Sequence, residues 1–154
     1  VAEPSLVEWL SACLDSDERT ANLMAEFYPG TWEIADRGYM ARIVADGPSF
    51  WEVTRLEQWP TMPTGVDAPT LGQIVGHVER WQPARVLAEV AAKRRIIEVH
   101  YNMNDGDCAV CVRGEWGYPT HGGSSPVLWP CLTVRLLALP YAGRDGYQDS
   151  WRPE

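Results

Sequence analysis

No stretch of the 154 residues approaches the ~18 consecutive apolar residues of a membrane-spanning helix, so no span is expected. The opening Val1-Ala-Glu-Pro-Ser-Leu6 has neither a basic n-region nor an apolar h-region, and no secretory signal is expected in it. A basic excess is missing as well: the formal net charge is −8, which disfavours bulk attraction to DNA or RNA. The common catalytic signatures are absent, with no H-E-x-x-H, no G-x-S-x-G and no G-x-x-x-x-G-K-S/T. Zinc deaminases combine H-x-E with P-C-x-x-C, whereas here His100 precedes Tyr101-Asn102, and Asp107 precedes Cys108. Gly122-Gly123-Ser124-Ser125 lacks the following helix and lysine of a phosphate loop and reads as a flexible linker. These absences point away from an enzyme.

Cysteine is also scarce. There are four, and three of them fall between His100 and Cys131. With no export expected, the chain reads as cytoplasmic, where Cys108-Ala-Val-Cys111 means metal or redox chemistry sooner than a disulfide framework. Tryptophan, by contrast, is abundant at eight residues against two phenylalanines. The eight are scattered, so most should plug the core, with one or two left to anchor a partner.

Length and composition allow one domain, residues 1–154. Charge divides it. Residues 1–69 hold 12 acidic and 4 basic side chains, and residues 70–154 hold nine of each. The first part reads as an acidic helix plus β-meander, the second as a helical part carrying a zinc site. An acidic face suits a basic partner or simple solubility.

Helical spacing of Leu6, Val7, Trp9, Leu10, Cys13 and Leu14 predicts a helix opened by Pro4-Ser5, continuing through Met24 and Phe27 to a stop at Pro29-Gly30. Cys13 sits on its apolar stripe as a small hydrophobe. Three short alternating runs come next, Trp32–Ile34, Tyr39–Val44 and Phe50–Leu56, parted by Asp36-Arg37-Gly38 and Asp46-Gly47-Pro48. They predict a three-stranded antiparallel meander. Residues 59–69 are proline-rich loop, and Thr70-Leu-Gly-Gln73 fits a capping box opening a helix that breaks before Pro83. The next helix, from about Pro83 to Tyr101, buries Val86, Leu87, Val90, Ala91, Ile97 and Tyr101, with His100 on the inward edge. Cys131 starts a last helix halted by Pro140, and Tyr141, Tyr147 and Trp151 fold back as aromatic pegs.

The fold class is thus α+β: an N-terminal helix, a small antiparallel meander, then helices joined by a zinc-binding loop. Zinc needs four soft or borderline donors, and a C-x-x-C turn supplies two without bending the backbone far. Asp105-Gly106-Asp107 turns the chain just before that pair. Cys131 adds a thiolate at a helix start, where exposed amides and the dipole favour an anion; Arg135 lies one turn on. His100 leads as fourth donor because it closes a helix facing inward; His121, Asp107, Cys13 and water are the alternatives. A redox pair should come after a strand and open a helix, and Gly106 and Arg113-Gly114 oppose that.

Gln82-Pro-Ala-Arg-Val-Leu-Ala-Glu-Val-Ala-Ala-Lys-Arg-Arg-Ile-Ile-Glu-Val-His100, the C-x-x-C, and Trp129-Pro-Cys-Leu-Thr-Val-Arg-Leu-Leu-Ala-Leu-Pro-Tyr141 with Tyr147 and Trp151 resemble a domain of unknown function of actinobacteria, especially streptomycetes, and their phages. The opening Leu6–Arg19 segment is similar too. The resemblance implies His100, Cys108, Cys111 and Cys131 as a Zn²⁺ set. Trp81-Gln82 departs from it, since relatives more often carry His-Asp there. No activity comes with the family.

The reading is therefore a zinc-stabilised, non-enzymatic interaction or regulatory module with an unknown protein partner. Arg85, Lys93, Arg94 and Arg95 are the one nucleic-acid hint, and their helix gives a runner-up in a nucleic-acid-associated protein. A zinc-dependent hydrolase ranks third.

Overall fold

A computed structural model of the chain describes residues 3–27, 32–35, 42–45, 51–55, 73, 76–103, 106–113 and 125–153. The architecture is α+β, in the expected order of helix, meander and helices. The expected stop at Pro29-Gly30, the turns at residues 36–38 and 46–48, the 59–69 loop, most of the Thr70–Gln73 capping box, and His121 lie outside the described residues.

Helix α1, Leu6–Phe27, starts where a capping box forms. The Ser5 backbone N–H and hydroxyl donate to Glu8 Oε2 at 2.8 and 2.7 Å, and the Glu8 N–H donates back to Ser5 Oγ at 3.4 Å. The i, i+3, i+4 spacing buries Leu6, Trp9, Leu10, Cys13 and Leu14, with Leu10 and Leu14 at 0% exposure. Each such leucine contributes roughly 1.5–3 kcal/mol of transfer free energy.

The chain forms two compact units, residues 1–16 with 90–154 and residues 17–89, and their boundaries fall within helices rather than at the charge division near residue 69. In the second unit β1 (Trp32–Ala35), β2 (Arg42–Ala45) and β3 (Trp51–Arg55) form the expected antiparallel meander in the order β1-β2-β3. Trp32 pairs with Ala45 and Arg42 with Arg55, and the β2–β3 register slips between Ile43 and Val44. Residues 76–80 are helical.

Helix α2, Pro83–Val99, begins at the proline that suits its first turn and crosses from one unit to the other. Its stripe is narrower than periodicity predicted. Val90 is buried at 2% and Val86, Leu87 and Ile97 are half-buried, but Ala91 and Tyr101 are exposed, Tyr101 at 57%. The reason at Tyr101 is that the helix has ended. Its carbonyl instead accepts the Ala109 N–H at 3.0 Å in a strand pairing, so helical spacing no longer sets its direction.

The first unit continues with β4 (Asp107–Arg113), antiparallel to β5 (Ser125–Leu128), then α3 (Leu132–Ala138). Helix α3 stops before Pro140, as expected, and that proline sits in a 3₁₀ turn, Leu139–Tyr141, which follows directly. The tail folds back as expected, and Trp9, Tyr147 and Trp151 form a mutual cluster with ring centroids 5.4–5.8 Å apart. Of the other tryptophans with described side chains, Trp129 is half-buried and Trp81 is exposed at 44%.

Candidate metal centre

Segments from the end of α2 to the start of α3 position the centre. The first is the end of α2, where the His100 N–H still bonds the Ile96 carbonyl at 3.0 Å and so keeps helical direction. Next comes a tight turn: the Gly106 N–H bonds Met103 O at 2.9 Å, with Gly106 at φ +92°, a left-handed conformation that glycine adopts without a Cβ clash. Residues 101–103 then pair with 107–109, through Met103 N–H to Asp107 O at 2.8 Å and the Asn102–Cys108 bridge.

The C-x-x-C pair lies in β4 and not in an irregular loop as expected. In a regular strand, residues three apart face opposite sides. The β4–β5 register shift between Asp107 and Val112 breaks that alternation and lets both sulfurs reach one point. Finally, the Trp129 N–H bonds Gly106 O at 2.9 Å, which brings β5 beside the turn and delivers Cys131 to the N-cap of α3. Cys131 makes no side-chain cap hydrogen bond, so its sulfur is turned to the cluster.

His100 Nδ1 lies 3.5 Å from Cys108 Sγ, 3.4 Å from Cys111 Sγ and 3.5 Å from Cys131 Sγ. All four donor atoms fall within 4.8 Å of one another, and the group can hold a metal ion. One nitrogen stands nearly equidistant from three sulfurs, the apex of a trigonal pyramid. None of the four cysteines is in a disulfide. Cys13 is buried on α1 and is not among the group. Asp107 is not in it either.

Burial is uneven around this pyramid. Cys131 is 1% and Cys108 4% exposed, while Cys111 and His100 are half-buried. Burial works against charge on Cys108, but the backbone N–H groups of Val110 and Cys111 donate to its sulfur, as do the neighbouring thiols. The balance holds Cys108 below the usual thiol range. Cys111 moves the other way. Burial, its hydrogen bonds to Cys131 and Cys108, and repulsion from both push it up to about 12. A bound cation would favour the thiolate form of the sulfurs that ligate it. Close by, Arg135 donates from Nε to the Pro130 carbonyl at 3.1 Å, fixing the approach to Cys131.

The basic residues of α2 are spread among partners of their own. Arg85 pairs with Glu89 at 2.9 Å and stacks 4.6 Å over Trp81; Arg95 pairs with Glu98 at 2.6 Å. Arg94 pairs with Asp15 at 2.6 Å, and Lys93 donates to Tyr141 Oη at 3.0 Å. The last two contacts span 79 and 48 residues, and no local pattern announces them.

Fold and cluster together define an α+β protein with a metal-capable Cys₃His group bound into its C-terminal part. The family model described as "Family of unknown function (DUF6221)" matches residues 3–153, and the chain belongs to that family. No curated protein matches the chain, and no solved structure does. Among the described residues no helix is long and apolar enough to cross a membrane.

Proposed function

We propose that the chain is a structural zinc protein, a non-enzymatic interaction or regulatory module in which His100, Cys108, Cys111 and Cys131 ligate one Zn²⁺. One observation carries this reading. Zn–S bonds of ~2.3 Å and Zn–N bonds of ~2.0–2.1 Å at tetrahedral angles separate sulfur from nitrogen by about 3.5 Å. The three distances from His100 Nδ1 are 3.4, 3.5 and 3.5 Å. Donor softness supports zinc over magnesium or calcium, which take oxygen. A polynuclear iron–sulfur cluster would hold its thiolates further apart, around several metal atoms.

A catalytic zinc keeps one position for water, and a set of four protein donors leaves none, which places a hydrolase below the structural role. The nucleic-acid reading also ranks lower, because Arg85, Lys93, Arg94 and Arg95 each engage a neighbour within the chain. The partner is then a protein, met in the cytoplasm of an actinobacterium or during infection by one of its phages, and the acidic N-terminal part suits a basic surface on it. Elemental analysis of purified protein tests the metal: one zinc per chain is expected, and protein that is folded and metal-free refutes the proposal. Cobalt substitution adds a geometric test, since four-coordinate Co²⁺ with thiolates gives intense visible bands and a six-coordinate site does not.

A further inference from the structure

The three thiolates of the centre are chemically unequal. We propose that Cys111 is the reactive position of the metal centre, the sulfur at which hydrogen peroxide enters and through which the metal is released. This assignment rests on the zinc reading and adds to it the identity of the reacting ligand and the fate of the metal.

A metal-bound thiolate loses nucleophilicity in two ways, by burial and by accepting N–H hydrogen bonds that hold its lone pairs. Cys131 is 1% exposed and Cys108 is 4% exposed. Cys108 also receives the backbone N–H groups of Val110 and Cys111. Cys111 is half-buried. Its sulfur lies 3.4 Å from His100 Nδ1. Of the three cysteines it is the residue most open to a solute. Cys13, at 7% exposure and outside the group, offers no competing site.

The chemistry balances with one oxidant. The Cys111 thiolate attacks one peroxide oxygen, the O–O bond breaks, and hydroxide leaves, giving a sulfenic acid. Cys108, on the same strand β4 and with its sulfur inside the same 4.8 Å group, then attacks that sulfur as a thiolate. The S–S bond forms and the S–OH bond breaks, with a second hydroxide leaving. Two thiolates have given two electrons to one peroxide. Half the donor set is gone, and His100 with Cys131 alone cannot hold the ion.

The test uses the full-length, zinc-loaded protein, its metal content measured first. Hydrogen peroxide is added below one equivalent, released zinc is read with a chromophoric chelator, and peptides are mapped by mass spectrometry. The expected result is one zinc released per Cys108–Cys111 disulfide, with Cys13 and Cys131 recovered as thiols and zinc rebinding after reduction. In parallel, iodoacetamide should label Cys111 at least about tenfold faster than Cys108 or Cys131. Oxidation or labelling of Cys131, Cys108 or Cys13 ahead of Cys111 overturns the proposal, as does oxidation at Cys111 that leaves zinc bound. Protein with no zinc at the outset refutes the zinc reading itself, so the two failures are told apart by the first measurement.

Discussion

The indole N–H of Trp9 donates to the backbone carbonyl of Asp145 at 2.9 Å, across 136 residues of sequence. That bond ties the second turn of α1 to the tail, and the rings of Tyr147 and Trp151 close over the same indole. Trp9→Ala removes a largely buried ring from between them and is expected to cost ~3–5 kcal/mol in urea unfolding. Trp9→Phe keeps most of the ring area but strips a donor from Asp145, for a loss of ~1 kcal/mol. Tyr147→Phe should be neutral or stabilising by up to ~1 kcal/mol, because the Tyr147 hydroxyl is buried and has no hydrogen-bond partner among the described residues.

Gly146 sits under that ring at φ +84°, and a Cβ there would lie 3.1 Å from Trp9 Nε1. Alanine meets both a left-handed backbone and a fixed indole. The expected loss for Gly146→Ala is ~1–2 kcal/mol from the backbone alone. Gly143 is the control three residues earlier, where a Cβ would meet nothing within 4 Å. Gly143→Ala should stay within ~0.5 kcal/mol of the parent in the same urea titration. Equal losses at the two positions would count against this packing of Gly146 on Trp9.

How far the sequence exposed this arrangement depends on the range of each signal. Local period revealed α1 and α2, because each buries a face set by its own spacing, and alternation bounded by turn residues revealed the β1–β3 meander. It also brought His100, Cys108, Cys111 and Cys131 under suspicion, since so few soft donors are present and two share a C-x-x-C. The β4–β5 pairing was hidden. Its cysteines stand three apart, and no strand pattern shows the register shift that lets them converge. Ser5-Leu-Val-Glu8 was a readable capping box that the apolar stripe beside it overshadowed. Contacts such as Lys93 with Tyr141 and Arg94 with Asp15 depend on how helices meet, and short-range spacing carries no trace of them.

Glu8 gives a pH prediction. The Ser5 backbone N–H and then its hydroxyl hold the Glu8 carboxyl below its ordinary value of 4.5. A carboxyl whose folded value is depressed adds stability above the unfolded value and loses it as pH falls through the folded one. Stability should therefore decline as pH drops from about 4.5 downwards. Glu8→Gln should flatten that part of the profile, by lowering stability at neutral pH while matching the parent at acid pH, where Glu8 is itself neutral. Ser5→Ala should cost ~1 kcal/mol at neutral pH, since the helix start loses its cap. Thermal melts across pH separate the two effects, and an unaltered acid limb in Glu8→Gln would remove the capping-box account.

The zinc proposal makes its sharpest prediction through two cysteines that are both hidden from solvent but differently placed. Cys131 is 1% exposed and within the donor group; Cys13 is 7% exposed and outside it. If both were mere core residues, serine at either would place a hydroxyl in an apolar site and cost a similar ~1–3 kcal/mol. If Cys131 binds metal, Cys131→Ser forfeits much of a binding free energy of ~10–16 kcal/mol, which is comparable to the stability of a whole domain. Cys131→Ser should then purify with well under one zinc per chain and lose cooperative unfolding by calorimetry. Cys13→Ser should keep full zinc and melt cooperatively at a lower temperature. A strong chelator applied to the parent should reproduce the Cys131→Ser behaviour, and added zinc should reverse it. If instead the two variants lose equal stability and the parent ignores the chelator, His100 and its three sulfurs are packing partners and nothing more.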